Sequence, residues 1–180
     1  MCTGNLFFPD RGWRRRVKRA QRGFSLMELL IVISIILIIL LFAVPQYNKI
    51  TIRGNETSAV KTLGTLHAAE SLYAAQFPAQ GYTCTLQNLG PPQPGQPVSP
   101  TAADDVDSKV AGGTKDGYVF TIQGCTTAAN GQRVVTYQVV AVPETPGKSG
   151  IKAFCTDDGG SIRYDPSGNA AACLSGNNVL

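Results

Sequence analysis

Arg22-Gly23-Phe24-Ser25-Leu26-Met27-Glu28-Leu29-Leu30 decides the fold, together with the apolar run that follows it. From Leu29 to Val44 the only residue that is not apolar is Ser34. Phe24 to Val44 makes 21 residues, about 31 Å of helix at 1.5 Å per residue. That length matches the roughly 30 Å hydrocarbon core of a bilayer. Apolar side chains occupy every face, so a soluble amphipathic helix is excluded. Glu28 breaks the pattern: a carboxylate inside such a segment is costly in lipid and usually functional.

These residues resemble the N-terminus of type IV prepilins and of the pseudopilins of type II secretion systems. The matching features are a basic leader ending in Gly23, Phe24 as first mature residue, Glu28 as fifth and Pro45 as twenty-second. The resemblance implies that a prepilin peptidase cuts after Gly23 and methylates the Phe24 amine. It also implies that the matured helix packs into a filament core, with Phe24, Glu28 and Pro45 as assembly residues. Pilins often carry a helix-breaking Gly eight residues before this Pro, where this chain has Leu37. Three competing readings remain. A secretory signal peptide would have a shorter apolar run and a small-x-small cleavage site. A plain membrane anchor explains neither Glu28 nor the Gly23-Phe24 junction. Ser25-x-x-Glu28 also fits a capping box, in which the Glu serves a backbone N–H at the helix start.

Charge follows the same division. The formal net charge of +4 comes from 16 cations and 12 acids. Residues 1–23 hold seven of those cations (Arg11, Arg14, Arg15, Arg16, Lys18, Arg19, Arg22) and one acid, Asp10, leaving 9 and 11 for the rest, a side-chain charge of −2. The basic character belongs to the leader, and nucleic-acid binding by the remainder is not indicated. Positive residues stay cytoplasmic, so the C-terminal part faces outward. Val17-Lys18-Arg19-Ala20-Gln21-Arg22-Gly23 alone would make an ordinary leader, so the start of translation is Met1 or Val17.

Five cysteines are present. Cys2 lies in the leader, which leaves Cys84, Cys125, Cys155 and Cys173, an even count in an exported domain. No CxxC pair exists and His67 is the only histidine, which points away from zinc. Four cysteines allow three connectivities. The expected one is Cys84–Cys125, tying a loop to the first strand, with Cys155–Cys173, tying the third strand to a weak tail.

The expected fold is α+β and pilin-like: a long N-terminal helix packed on a four-stranded antiparallel sheet. Residues 1–23 form the leader, 24–45 the transmembrane or filament-core helix, and 46–78 the amphipathic half of the same helix. Residues 79–116 form a Pro-rich loop, and 117–180 the sheet and tail. Pro45 should bend the helix, and Gly54 and Asn55 should weaken it. Ala59, Leu66, Tyr73 and Phe77, flanked by Leu63 and Ala69, make one stripe at helical spacing. His67 lies beside it, and Phe77-Pro78 ends it. Pro91, Pro92, Pro94, Pro97 and Pro100 favour extended loop, followed by the acids Asp104, Asp105 and Asp107. Strands are expected at Gly117–Gln123, Arg133–Val142, Ile151–Thr156 and Ser161–Tyr164. Asn130-Gly131 and Asp157-Asp158-Gly159-Gly160 are turn signals.

No nucleotide-binding or hydrolase motif is present, so an enzyme is not expected, nor a cofactor or metal. Asp157, Asp158 and Asp165 could suggest calcium, but the same residues describe a plain turn. The function expected is a structural filament subunit, a major pilin, held in the inner membrane before assembly. The alternatives are a major pseudopilin and a non-polymerising, membrane-anchored adhesion or DNA-binding module. Expected partners are copies of the chain itself, a prepilin peptidase/methyltransferase and inner-membrane assembly machinery.

Overall fold

The computed structural model describes residues 23–129, 131 and 133–180, without the side chains of residues 43–45. Residues 1–22 of the expected 1–23 leader, the alternative start at Val17 and the Pro45 side chain therefore lie outside the described residues. The chain divides into two units between Leu41 and Phe42.

In the first unit the described backbone has no regular structure at Gly23–Ser25 and is helical from Leu26, the start of α1 (Leu26–Gln76). Ile and Leu dominate it up to Leu41, and the β-branched Ile is a weaker helix former than Leu. A helix nevertheless satisfies every backbone group internally, which apolar surroundings demand. The one hydroxyl of the run is satisfied the same way: Ser34 Oγ donates to the Leu30 carbonyl at 2.8 Å.

In the second unit α1 continues to Gln76 through Gly54 and Asn55, which do not interrupt it. Ala59, Leu63, Leu66, Ala69 and Tyr73 are at most 2% exposed, so the expected stripe is the buried face. Phe77 caps it, half-buried, its ring 5.0 Å from that of Tyr73 and tilted against it.

The stripe lies in one core with Tyr118, Phe120, Ile122, Tyr137, Val139 and Phe154. These belong to an antiparallel meander of β1 (Thr114–Lys115), β2 (Tyr118–Thr127), β3 (Val134–Pro143), β4 (Ala153–Asp157) and β5 (Arg163–Asp165). The sheet therefore has five strands, not four. The extra one is a two-residue edge strand that pairs with β2. It turns back through Asp116 (φ 47°) and Gly117 (φ 74°), the left-handed pair a tight hairpin needs. Two residues are too short to show alternation, so only the Asp-Gly dipeptide announces it. β2 also runs further than expected. A register irregularity between Gln123 and Thr126 carries it past Gly124 (φ 62°) to Thr127.

The connection after α1 is not wholly irregular. It contains α2 (Leu86–Leu89) and α3 (Ser108–Ala111), the latter capped by Asp107, which accepts from the Lys109 and Val110 N–H groups. The tail carries α4 (Ala170–Ser175), capped by Asn169. Residues 93–98, by contrast, are exposed. Deleting Pro92–Val98 should shift the melting temperature by less than about 3 °C, the equivalent of under 1 kcal/mol in a chain of this size. A larger fall in a thermal melt would show that this loop packs.

Candidate functional site: the exposed N-terminal helix

Every described side chain from Gly23 to Phe42 is exposed. The large apolar residues among them range from 47% (Val32, Leu40) to 84% (Phe24). Soluble proteins rarely present a continuous apolar surface of this extent, which marks a membrane or protein contact. Gly23 and Phe24 precede the first helical turn, outside regular structure, with nothing within 4 Å of a Cβ built on Gly23. A peptidase needs this kind of open, non-helical junction. Glu28 falls in the first turn of α1, where a carboxylate meets the positive end of the helix dipole. The ladder starts with the Leu29 N–H donating to the Ser25 carbonyl at 3.2 Å. Among the described residues no hydrogen bond joins the Ser25 and Glu28 side chains to the first helical N–H groups. Among them, too, no single helix is long and apolar enough to cross a membrane; Leu26–Phe42 joined to Gln46–Gln76 passes by length and composition.

The cysteines pair as Cys84–Cys125 and Cys155–Cys173, with Cα separations of 6.1 and 6.0 Å. The first clamps the loop after α1 to β2, and the second clamps α4 to β4. Asp157 serves its turn. Oδ1 accepts the Gly159 N–H at 3.0 Å and Oδ2 meets Arg163 at 2.7 Å. Asp165 accepts N–H groups of Ser167 and Asn169, which hold its carboxyl below the usual range together with the Ser167 hydroxyl, the largest influence. Among the described residues no three or more His, Cys, Asp or Glu side chains are placed to hold a metal ion. His67 is half-buried, its Nδ1 2.9 Å from the Tyr137 hydroxyl. Gly160 (φ 76°) lies against it so closely that a Cβ would stand 2.7 Å from Nε2.

Sequence reasoning missed Glu70, which is fully buried. Its Oε2 accepts the Thr83 N–H at 2.9 Å. Its Oε1 has no hydrogen-bond partner among the described residues. Burial pushes its carboxyl up to about 8; the Thr83 bond opposes this and Asp105 adds to it. The signal was its spacing, four residues after Leu66 and three before Tyr73, a core position of the stripe.

The family model for the prokaryotic N-terminal methylation motif matches residues 18–44. Two proteins of Pseudomonas aeruginosa, each described as a fimbrial protein, are 48% identical over 54 residues, 29% of this chain. The chain spans only about a third (35%) of the length of these relatives. No solved structure matches. The chain thus carries the prokaryotic N-terminal methylation motif at the head of a long helix, followed by an antiparallel sheet, an α+β arrangement consistent with a pilin-like fold.

Proposed function

We propose that this chain is a structural subunit of a type IV-type filament, a major pilin rather than an enzyme. It is anchored in the inner membrane by its N-terminal helix, amino end cytoplasmic, and polymerises through that helix after cleavage behind Gly23 and methylation of Phe24. The observation that carries this reading is the fully exposed apolar helix, interrupted only by Glu28 and the self-satisfied Ser34, within the matched motif. A bilayer takes up such a surface before assembly, and the same helices of other copies take it up afterwards. Its partners are other copies of the chain, a prepilin peptidase/methyltransferase and the inner-membrane assembly machinery.

The pseudopilus is the second reading. The description of both relatives as fimbrial proteins favours the pilus. The Pro-rich loop, exposed at residues 93–98, suits the outer surface of a filament as well. Intact mass of membrane-extracted protein, from cells with an active prepilin peptidase, should lack residues 1–23 and carry one added methyl. Sheared or pelleted filaments should contain the same species. An unprocessed N-terminus would refute the assignment, and processed chains that never pellet would leave a membrane-anchored module.

A further inference from the structure

In the second unit a groove of about 460 Å³ has Ile52, Ile151 and Pro166 along it and Lys49, Arg53 and Lys152 around it. Glu56 is the only acid in its lining, and its Oε1 already accepts the Ile151 and Lys152 N–H groups at 3.2 and 3.3 Å. Lys152 Nζ lies 5.2 Å from the centre of the Tyr164 ring. Among the described residues Lys49, Arg53 and Lys152 form no ion pair. Ile50 and Ile151, 68% and 53% exposed, add apolar surface beside these cations. The groove is thus a cationic, partly apolar seat at the N-terminal end of the α1 segment in this unit.

The opposite end of that segment carries the converse. Gln76 Nε2 donates to Asp105 Oδ1 at 3.1 Å, which places the Ala103–Val106 turn beside the last residue of α1. From Arg53 to Gln76 the helix rises about 35 Å. Four backbone bonds of 2.8 to 3.0 Å pin the turn to the 88–90 carbonyls. Asp105 is half-buried, and Asp107 both caps α3 and meets Lys115 at 3.5 Å. Asp104, exposed like Asp107, is held at φ 62°, a conformation uncommon outside Gly, Asn and Asp.

We infer that the Lys49–Arg53–Lys152 groove seats the Asp104 turn of a second copy of this chain, stacking the units head to tail. This rests on the filament reading and names one contact within it. Opposite charge at opposite ends of a polar unit produces a heterologous contact, which repeats into an open helix unless its rotation closes. A rigid acidic turn against a cationic seat fixes axial register and disfavours slippage, because a slipped copy meets like charge.

The test uses the full chain in cells that process it. Chains with Arg53→Cys and chains with Asp104→Cys are co-expressed and treated with a short bis-maleimide cross-linker. A covalent dimer that needs both variants is expected in membranes and in filaments, while the four native cysteines are disulfide-bonded. Asp104→Asn, which keeps the left-handed turn and removes the charge, should lower filament yield about tenfold at an unchanged monomer melting temperature. So should Arg53→Glu. Filaments that form without the cross-link, or at wild-type yield with Asp104→Asn, overturn the contact. A cross-linked dimer without filaments keeps the contact and refutes the filament reading instead.

Discussion

Glu28→Gln is expected to leave the helix, membrane insertion and monomer stability as they are, while filament yield collapses. On the proposed filament reading, cleavage after Gly23 creates a cationic amine at Phe24, four residues before Glu28. The same reading has the Glu28 of one copy meet the amine of its neighbour in a staggered bundle of these helices. Unpaired, both charges would sit in an apolar core, and removing one partner of a buried pair typically costs about 3–5 kcal/mol. Repeated at every subunit, that is enough to prevent growth. Gln suits a capping box as well as Glu does, so the variant separates pairing from capping. Pelleted filaments, membrane-extracted monomer and a monomer melt are the three measurements. Wild-type filament levels would leave the cap as the better account.

Periodicity made the α1 stripe legible, because Ala59, Leu63, Leu66, Ala69 and Tyr73 recur at three- and four-residue steps and all are buried. It hid Glu70 at the same time, since a charged residue reads as solvent-facing unless its spacing is trusted over its type. The β-branched runs showed β2, β3 and β4, with ends off by a residue or more. β1 is too short to show a pattern. α4 was hidden by a Gly- and Asn-rich tail, although Asn169 before Ala170-Ala171-Ala172 is an N-cap signal. Asp107 before Ser108-Lys109-Val110 is another. The Gly23-Phe24-Glu28 segment was legible because its signal is local. The cationic groove was not. Glu56 and Lys152, which meet there, lie 96 residues apart, and only the meander brings them together.

Stability of the folded monomer should fall as pH rises from about 5 to 8, and Glu70→Gln should remove most of that fall. Glu70 is buried among Leu66, Tyr73 and the start of the loop, with a carboxyl pKa of about 8 against an ordinary 4.5. Below pH 4.5 folded and unfolded chains both hold the proton, and the group's full contribution is present. Between 4.5 and 8 the unfolded chain releases it while the folded chain keeps it, so each pH unit favours unfolding by about 1.4 kcal/mol. Above 8 both are ionised and the loss is complete, of the order of 5 kcal/mol across the window. Asp105, also raised by its burial, adds a smaller loss of the same sign. Asp107 and Asp165 are lowered and act only at more acid pH. The phenols of Tyr73 and Tyr137, raised by burial with a contribution from Glu70, stay protonated throughout. Gln keeps an acceptor for the Thr83 N–H and carries no charge. The variant should therefore match wild type near pH 5 and exceed it by several kcal/mol at pH 8.5. Denaturant titrations of the matured protein in detergent, disulfides intact, measure both slopes. A wild-type curve that is flat or rising from pH 5 to 8, or an equal slope in Glu70→Gln, would show that this carboxyl is ionised in the folded core.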